Sequence, residues 1–304
     1  MKEFIISIPA SSANLGPAFD SGGIALNLYL TLKVAESDQW ELISQSSFLP
    51  TDANYEENLI YQVAKETAKR HNKQLPTCKL TINSDIPLAR GFGSSASAII
   101  AGIELANQVC ELSLSPDEKL TYGTEFEGHP DNIAPSLFGG LTITSKHFKN
   151  DVDWLRIPDL DLDVVGYIPE FELETKAARG VLPAYFSKEQ ATTASSISNV
   201  LIASLFSGNY ELAGKMMEND LFHEPYRSEL IPHYHEIKKE AKRCGVYGTV
   251  ISGAGPTMVS FAEKGKGKSI AEHMQQFLQG YQISALQIDT NGLQINNTIK
   301  TAVE

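Results

Sequence analysis

The sequence predicts an α+β fold, on three observations. Strand-like and helix-like segments interleave along the 304 residues without the regular alternation of a doubly wound sheet. Hydrophobic residues make up 42% of the chain and charged residues 20%, so the chain can bury a core of ordinary size. Segments rich in glycine and small polar residues separate the elements at residues 10–23, 87–97 and 247–255, and are typical of loops that approach a ligand closely.

The strands are predicted from short runs of alternating or continuous apolar residues. The first run ends at Pro9, which lacks the N–H that a sheet ladder needs. The predicted strands cover residues 4–8, 24–34, 78–83, 141–144, 164–168, 257–261 and 282–288.

The helices are predicted from apolar residues that recur every three or four positions. The second helix, rich in Ala, Ile and Leu with little charge, is expected to be buried and to begin near Ser94 or Ser95. The predicted helices cover residues 57–71, 96–112, 120–127, 190–207, 211–219 and 233–244.

A polar, acidic segment at residues 147–163 is the predicted interdomain region. It divides the chain into a first domain of residues 1–155, which holds the loop at 87–97, and a second domain of residues 156–304.

Charge and composition exclude several classes of function. The net charge is −12 and the pI is about 5.1, with no basic stripe, so nucleic acid and acidic membranes are not expected partners. No apolar run reaches the roughly 20 residues of a membrane span, and the N-terminus does not resemble a secretory signal. Three scattered cysteines predict neither a disulfide framework nor a zinc site. These observations predict a cytoplasmic protein.

The loop at residues 87–97 carries the strongest chemical signal. Gly91 and Gly93 let the backbone approach a ligand, and Ser94, Ser95 and Ser97 bring hydroxyls to a helix start. Free N–H groups and the positive end of the helix dipole there suit phosphate, and serine oxygens suit Mg²⁺. The whole segment is a candidate phosphate-binding loop: Pro87, Leu88, Ala89, Arg90, Gly91, Phe92, Gly93, Ser94, Ser95, Ala96 and Ser97.

The pattern of this loop also fits two other interpretations. The simpler one is a serine-capped helix after a turn. The other is a dinucleotide-binding loop, since residues 91–96 match its loose glycine pattern. The position of the loop late in the chain counts against a dinucleotide, as does the acid at the expected offset, Glu111, which lies at a predicted helix end.

The remaining loops supply polar side chains. Asn14 and Asp20 are able to reach a ligand, although both residue types are also common in turns. The loop near residue 255 could wall a phosphate site or form a tight turn. Residues 125–132 combine carboxylates with an amide that together can hold Mg²⁺ and orient a hydroxyl: Glu125, Glu127, Asp131 and Asn132. His129 is expected to be structural.

Taken together, these segments resemble the GHMP family of small-molecule kinases over nearly the whole chain. The family's first motif matches P-A-S-S-A-N-L-G-P-A-F-D at residues 9–20. Its second matches residues 87–96 and its third residues 252–256. Three further segments, at residues 127–132, 174–183 and 223–232, resemble those of members that act on L-homoserine. Ala18, Phe92 and Ser11 depart from the residues usual at their positions, but none removes a polar group that the chemistry needs.

The resemblance implies two α+β domains, one like the second domain of ribosomal protein S5 and one ferredoxin-like. It implies ATP-dependent phosphorylation of the L-homoserine hydroxyl with Mg²⁺, and a homodimer. Arginine binds carboxylates at two points, so Arg179 and Arg227 are assigned to the substrate carboxylate and Asp20 to its ammonium. The catalytic candidates are Asn14, Asp131, Asn132 and Thr175.

For the nucleotide, the resemblance assigns residues 87–97, Gly253 and Gly255 to the phosphates and Asn58 to the adenine. Ser94 and a glutamate, Glu127 or Glu125, are assigned to Mg²⁺, with Glu127 preferred. Asp131 is the candidate base, and direct transfer with Asn132 holding the hydroxyl is the alternative. The rival functions are a kinase of the same family for mevalonate, shikimate or a sugar, an oxidoreductase, and a non-catalytic nucleotide-binding protein.

Overall fold

The computed structural model of the chain describes residues 3–46, 54–147 and 151–297, and strands and helices interleave within them as predicted. The strands are β1 Phe4–Ala13, β2 Gly22–Glu36, β3 Glu41–Ser44, β4 Cys78–Ser84, β5 Leu141–Lys146, β6 Val152–Ile157, β7 Leu162–Pro169, β8 Gly248–Ile251, β9 Met258–Glu263, β10 Tyr281–Leu286 and β11 Gln294–Asn297. They form one seven-stranded and one four-stranded sheet.

The helices lie between the strands in chain order. They are α1 Leu59–Arg70, α2 Ser94–Val109, α3 Pro116–Glu127, α4 Ile133–Phe138, α5 Thr175–Gly180, α6 Lys188–Phe206, α7 Tyr210–Met217, α8 Glu224–Arg227, α9 Tyr234–Arg243 and α10 Gly267–Phe277. Short 3₁₀ turns at Tyr55–Glu57 and Ser228–Leu230 precede α1 and follow α8. Within the described residues, no helix combines the length and apolar character needed to cross a membrane.

The first sheet has the strand order β11-β1-β2-β4-β3, and β5 joins it through β2 and carries β6 at its other edge. Its pairs are antiparallel except β3 with β4. Alternate residues of β1, such as Ile6 and Ile8, are fully buried. The helix α2 packs on this face and buries most of its circumference, as its apolar sequence predicts.

The second sheet has the order β10-β7-β9-β8 and is antiparallel throughout. Counted along the chain, this is the 4-1-3-2 order of a ferredoxin-like sheet, which confirms that expectation. One hydrophobic core runs from Ile6 in the first sheet to Val164 and Phe261 in the second. Phe92 is fully buried in it, which ties the loop at residues 87–97 to the junction of the two sheets.

The ends of α3 prepare the polar turn that follows it. Ser115 and Glu118 form a reciprocal capping box at the N-terminus, with the Ser115 hydroxyl accepting from the Glu118 N–H. Gly128 ends the helix with φ of 95°, a left-handed conformation that glycine adopts without strain. The helix therefore stops directly before His129, and the chain turns back toward the first sheet.

Several boundaries differ from the predictions. β1 runs past Pro9 to Ala13, with a register shift between Pro9 and Ala10 that accommodates the proline. Residues 248–251 form β8 and are not part of a turn. The short elements β3, β6, β11, α4, α5 and α8 were not predicted, because four to six residues carry too little periodicity, and α10 was also missed.

The prediction that residues 147–163 form an interdomain region is wrong for residues 152–157. These form β6, which pairs with β5 at the edge of the first sheet and exposes Asp153, Trp154 and Leu155. Residues 148–150 lie outside the described residues. The predicted division at residues 155–156 therefore falls inside a strand, and β11 returns to pair with β1, so the two sheets do not separate at one point of the chain.

Candidate active site

A cleft lies where the loops of the two sheets meet. It is lined by fifteen of the predicted residues: Asn14, Asp20, Ala89, Gly91, Gly93, Ser94, Ser95, Glu127, Asp131, Asn132, Thr175, Arg179, Arg227, Gly253 and Gly255. His129, Leu173 and Ala254 complete the lining. Residues from 14 to 255 of the chain thus converge on one site.

The N-terminus of α2 opens into this cleft. Gly93 is its N-cap with φ of 64°, and no side chain of the described residues caps the first turn, so its N–H groups face the cleft. A Cβ on Gly93 would lie 2.2 Å from Ser11 Oγ, and one on Gly91 would lie 2.3 Å from the Ser252 carbonyl oxygen. Only glycine fits these two positions, and the open end of a 16-residue helix suits an anion.

The loop at residues 87–97 divides into residues that face the cleft and residues that hold the loop in place. Ala89, Gly91, Gly93, Ser94 and Ser95 line the cleft. Phe92, Ala96 and Ser97 are buried, and Pro87 and Arg90 line a separate groove beside β10.

Two predictions within this loop are corrected by side-chain direction. The Ser97 hydroxyl donates to the Pro9 and Gly93 carbonyls at 3.3 and 3.2 Å, so it does not face phosphate. The Arg90 guanidinium donates to the carbonyls of Leu88, Pro169 and Glu170. Arg90 therefore anchors the loop to the end of β7, and its charge is directed away from the cleft.

A second, largely apolar pocket of about 300 Å³ adjoins the cleft and shares Ser94 and Ser95 with it. Leu88 and Asn58 line it, together with apolar side chains of β2, β3, β4 and α1. The Asn58 side chain accepts from the Ile60 N–H at 3.0 Å and caps α1. A flat apolar group in this pocket would lie directly beside an anion at the start of α2.

In the first loop, Asn14 is held at both ends of its amide. Its Nδ2 donates to the Gly253 carbonyl at 2.8 Å, and its Oδ1 accepts from the Asp20 N–H at 2.9 Å. Asn14 and Asp20 both have positive φ, 75° and 53°, in the left-handed region where Asn and Asp are best tolerated. Asn14 thus clamps the first loop onto the third and aims the Asp20 carboxylate into the cleft.

Asp20 forms a two-point ion pair with Arg179, with Nη2 2.7 Å from Oδ1 and Nη1 3.1 Å from Oδ2. The hydrogen bonds that Arg179 donates to Asp20 raise the pKa of Arg179 further above its already high value. The pair remains partly accessible from the cleft. Thr175, at the start of the same short helix α5, is exposed and lines the cleft as predicted.

Arg227 is almost completely buried at the base of the cleft. Its Nε donates to the Ala178 carbonyl at 3.1 Å and its Nη1 to the Gly253 carbonyl at 3.0 Å. Burial, followed by the nearby charge of Arg179, lowers its pKa to about 10, so it stays charged near neutral pH. Two positive guanidiniums therefore face one end of the cleft.

The structure distinguishes between the two candidate metal-binding glutamates. Glu127 lines the cleft, and its Oε2 accepts from the Ser95 hydroxyl at 2.8 Å. Glu125 instead pairs with Arg70 on α1, outside the cleft. Residues two apart on a helix point to nearly opposite sides, so only one of them can face the site, and that residue is Glu127.

Burial raises the pKa of Glu127, an effect partly offset by the Ser95 hydrogen bond and by the positive charge of His129. A carboxylate in that setting gains from a nearby cation. Glu127, the Ser94 hydroxyl and Asp131 offer hard oxygen donors of the kind that Mg²⁺ prefers.

The turn after α3 forms a chain of polar contacts. Asp131 Oδ1 contacts both His129 Nδ1 and Asn132 Nδ2, and Asn132 Oδ1 accepts from the Ser11 hydroxyl at 2.9 Å. Burial disfavours a charged His129, but the hydrogen bond and charge of Asp131 outweigh it and raise the pKa of His129. His129 therefore lines the cleft in contact with Asp131.

Two further residues of the site were not found from the sequence. Phe19 lies beneath both arginines, with its ring centre 5.8 Å from the Arg179 guanidinium and 5.5 Å from that of Arg227. His223 is fully buried beside Arg227. Both residues lie inside the family-like segments at 9–20 and 223–232, which was the available signal, but no chemical role followed from their residue type alone.

Comparisons with known proteins agree with this geometry. Residues 58–140 match the GHMP kinases N-terminal domain and residues 201–280 the GHMP kinases C-terminal domain. A homoserine kinase of Oceanobacillus iheyensis is 49% identical over 97% of this chain and 99% of its own length. One from Halalkalibacterium halodurans is 46% identical over 97% and 96%.

A solved homoserine kinase structure, from Cytophaga hutchinsonii, superposes with a TM-score of 0.83 at 25% identity. The match covers 97% of this chain and 98% of that one. These relatives weigh against the dinucleotide interpretation of the loop at residues 87–97.

Proposed function

The chain belongs to the GHMP kinase family, among its homoserine kinases, and from this membership we propose the reaction and the role of each residue in it. The protein is an enzyme that transfers the γ-phosphoryl group of ATP to the side-chain hydroxyl of L-homoserine. The products are ADP and O-phospho-L-homoserine, on the route to threonine. The observation that carries this proposal is the presence, in one cleft, of an open helix N-terminus and the Asp20–Arg179–Arg227 group of charges.

The two pockets fit ATP. The apolar pocket beside Asn58 accepts the adenine, and the cleft it joins at Ser94 and Ser95 accepts the triphosphate. There the N–H groups of the first turn of α2 hydrogen-bond phosphate oxygens, and Gly91, Gly93, Gly253 and Gly255 leave room for them.

The donor set also fits Mg²⁺. Ser94 and Glu127 would hold it, with Asp131 nearby, and all three present oxygen atoms toward the cleft. When bound, Mg²⁺ neutralises charge on the phosphates and favours their alignment for transfer.

The substrate's two charged ends match the opposite wall of the cleft. Arg179 and Arg227 bind the carboxylate, and Asp20 binds the ammonium. With homoserine bound, Asp20, Arg179 and the substrate's carboxylate and ammonium form a cluster of four charged groups. Each group in the cluster lies beside a group of opposite charge. Mevalonate, shikimate and sugars have no ammonium group for Asp20, which favours homoserine over them.

Positioning supplies most of the catalysis. Asn132, held by Ser11, and Thr175 orient the substrate hydroxyl toward the γ-phosphorus. The hydroxyl oxygen forms the new P–O bond as the bond to the β-phosphate oxygen breaks. The hydroxyl proton passes to the Asp131 carboxylate, or to the transferred phosphoryl group if transfer is direct. Asn14 acts by holding the first and third loops together.

We further propose that the enzyme works in the cytoplasm as a homodimer. Free thiols at Cys78, Cys110 and Cys244 suit a reducing compartment. Sedimentation velocity measures the oligomeric state directly.

The deciding experiment is ADP release from purified protein with Mg-ATP, with and without L-homoserine. Mevalonate, shikimate, galactose and L-serine form the comparison panel. Strong stimulation by homoserine alone is the expected result. Equal stimulation by a substrate that lacks the ammonium group would contradict the roles of Asp20, Arg179 and Arg227.

A further inference from the structure

The buried imidazole of His223 has a defined protonation state, which its two neighbours determine. Its Nε2 lies 3.0 Å from the Gly16 carbonyl oxygen, which can only accept a hydrogen bond. Its Nδ1 lies 3.2 Å from Arg227 Nη1, which can only donate. His223 is therefore neutral, with its proton on Nε2 and its lone pair directed at the arginine.

The combined effect of the groups around His223 on its pKa favours this neutral form. Burial lowers its pKa most strongly, the carboxylates of Asp220 and Glu224 raise it, and the charge of Arg227 lowers it again. Asp220 Oδ2 is 3.6 Å from Nε2 and is already bonded to the backbone N–H groups of His223 and Glu224. The Glu224 carboxylate is engaged by Tyr234, Lys238 and the Ile251 N–H.

His223 also connects the loop that carries Asp20 with Arg227. Its ring stacks on Phe19 at 5.3 Å between centres, and Phe19 directly precedes Asp20. Its other partner, Gly16, has φ of 74°, and a Cβ there would lie 2.4 Å from the Met217 carbonyl oxygen. One imidazole thus fixes the loop that carries Asp20 and the guanidinium of Arg227.

We propose that His223 is a positioning residue for the substrate carboxylate: as the neutral Nε2–H tautomer, it orients Arg227 toward the cleft. Arg227 Nε donates to the Ala178 carbonyl, and Arg227 Nη1 is shared between the Gly253 carbonyl and His223 Nδ1. The remaining nitrogen, Nη2, is therefore the one left to bind the substrate. This inference rests on the proposed function, because it assigns Arg227 to the homoserine carboxylate.

Protonation would break this arrangement. A proton on Nδ1 would place two donors and two positive charges 3.2 Å apart, and Arg227 would have to move. The loss of affinity should fall on homoserine and leave ATP unaffected. Since burial holds the pKa of His223 below its usual 6.5, the neutral form prevails at neutral pH and the loss appears only as pH falls below that value.

Protonation of His223 should also lower the stability of the fold, so stability and homoserine affinity both fall as pH falls. At pH values between the lowered pKa of His223 in the folded state and its ordinary pKa in the unfolded chain, the unfolded chain binds more protons than the folded one. The free energy of unfolding therefore rises with pH in this range.

Two amide variants separate positioning from simple core filling. In His223→Asn the amide oxygen lies near the position of Nδ1 and can still accept from Arg227. In His223→Gln the amide lies near Nε2 and can still donate to Gly16, but the acceptor for Arg227 is lost. Neither amide titrates, and His129 is present in both variants, so its own titration cancels in the comparison.

The experiment measures kcat and KM for homoserine and for ATP against pH, with His223→Asn, His223→Gln and wild type. We expect His223→Gln to raise the homoserine KM about tenfold or more, the loss of one hydrogen bond to a charged group, with the ATP KM unchanged. His223→Asn should stay closer to wild type, and the acid limb of homoserine kcat/KM should be smaller in both variants than in wild type. His233→Asn, at an exposed histidine outside the cleft, is the control.

Equal effects of the two variants on both substrates would overturn the inference, as would an acid limb of homoserine kcat/KM that is identical in wild type and in both variants. A ¹⁵N NMR spectrum of the wild-type imidazoles gives a readout independent of turnover and of variant folding. A Nδ1–H tautomer or a charged ring for His223 at neutral pH would also overturn the inference. Absence of homoserine turnover in wild type would instead overturn the proposed function, which keeps the two failures distinct.

Discussion

Arg179 and Asp20, 159 positions apart in the chain, face each other in a two-point ion pair whose shorter contact is 2.7 Å. The residues assigned to opposite ends of the substrate thus hold each other in the structure. Their side chains keep 37% and 35% of their surface exposed, so each can bind a further charged group from the cleft. Substrate binding can therefore extend the pair without first breaking it.

Removal of this arginine tests the carboxylate assignment. We expect Arg179→Ala to raise the homoserine KM by about tenfold or more and to leave the ATP KM nearly unchanged, because one charged hydrogen-bonding partner of the substrate is lost. Arg179→Lys should recover little, since an ammonium cannot form the two-point contact. Initial rates at varied concentrations of each substrate give both constants, with the exposed Arg243→Ala as control. Equal changes in the two KM values would contradict the assignment.

The two glutamates at the end of α3 form a matched pair for the metal site. Glu127→Gln should raise the Mg²⁺ concentration needed for half-maximal activity by about tenfold and lower kcat, because a charged metal ligand becomes neutral. Glu125→Gln should change neither, since that side chain pairs with Arg70 outside the cleft. Activity is titrated against Mg²⁺ at saturating ATP. The opposite pattern would place the metal on the other side of α3.

A methyl group at Gly93 should disturb the phosphate loop in a way that is partly reversible. Its Cβ would meet Ser11 Oγ at 2.2 Å and Asn132 Oδ1 at 2.9 Å, and φ there is 64°. We expect Gly93→Ala to weaken ATP binding and to lower the free energy of unfolding by about 1–3 kcal/mol.

The double variant Ser11→Ala/Gly93→Ala removes the closest contact but keeps the backbone strain. It should recover part of both losses, as measured by calorimetric ATP titration and chemical denaturation. Gly91→Ala meets the Ser252 backbone instead, so Ser11→Ala should not rescue it. Identical losses in the single and double Gly93 variants would show that the Ser11 contact is unimportant.

The three thiols should differ in reactivity. Burial raises the pKa of Cys78 to about 11 and also raises that of Cys110, and both side chains are buried. Cys244 is only partly buried. A thiol reagent at neutral pH should therefore modify Cys244 first in the native protein, and all three residues after unfolding in urea. Rapid native labelling of Cys78, located by peptide mass mapping, would contradict its burial, and Cys244→Ser is the control that should remove the fast phase.

The local chemistry of the loops was readable from the sequence. Glycines at 91 and 93 followed by serines predicted a phosphate-binding helix start, and α2 does begin at Ser94 with Gly93 in a left-handed conformation. Such features depend on backbone conformation and hydrogen bonding within a few residues, so a short stretch of sequence determines them. The α+β class followed in the same way from the order of the elements.

The direction of each side chain depended on the tertiary structure. The sequence placed Glu125 and Glu127 on one helix but could not fix how that helix is rotated relative to the cleft, because packing against α2 and α4 sets the rotation. For the same reason, the sequence could not show that the Ser97 hydroxyl donates to the Pro9 carbonyl or that Arg90 anchors its loop to the end of β7.

Contacts between distant segments were also beyond the sequence. The Asp20–Arg179 pair and the bond from Arg227 to His223 exist because two sheets with a common core bring their loops to one cleft. The residue types that do the chemistry were determined by the sequence. Their meeting was decided by the fold, since it depends on packing among residues that no local pattern relates.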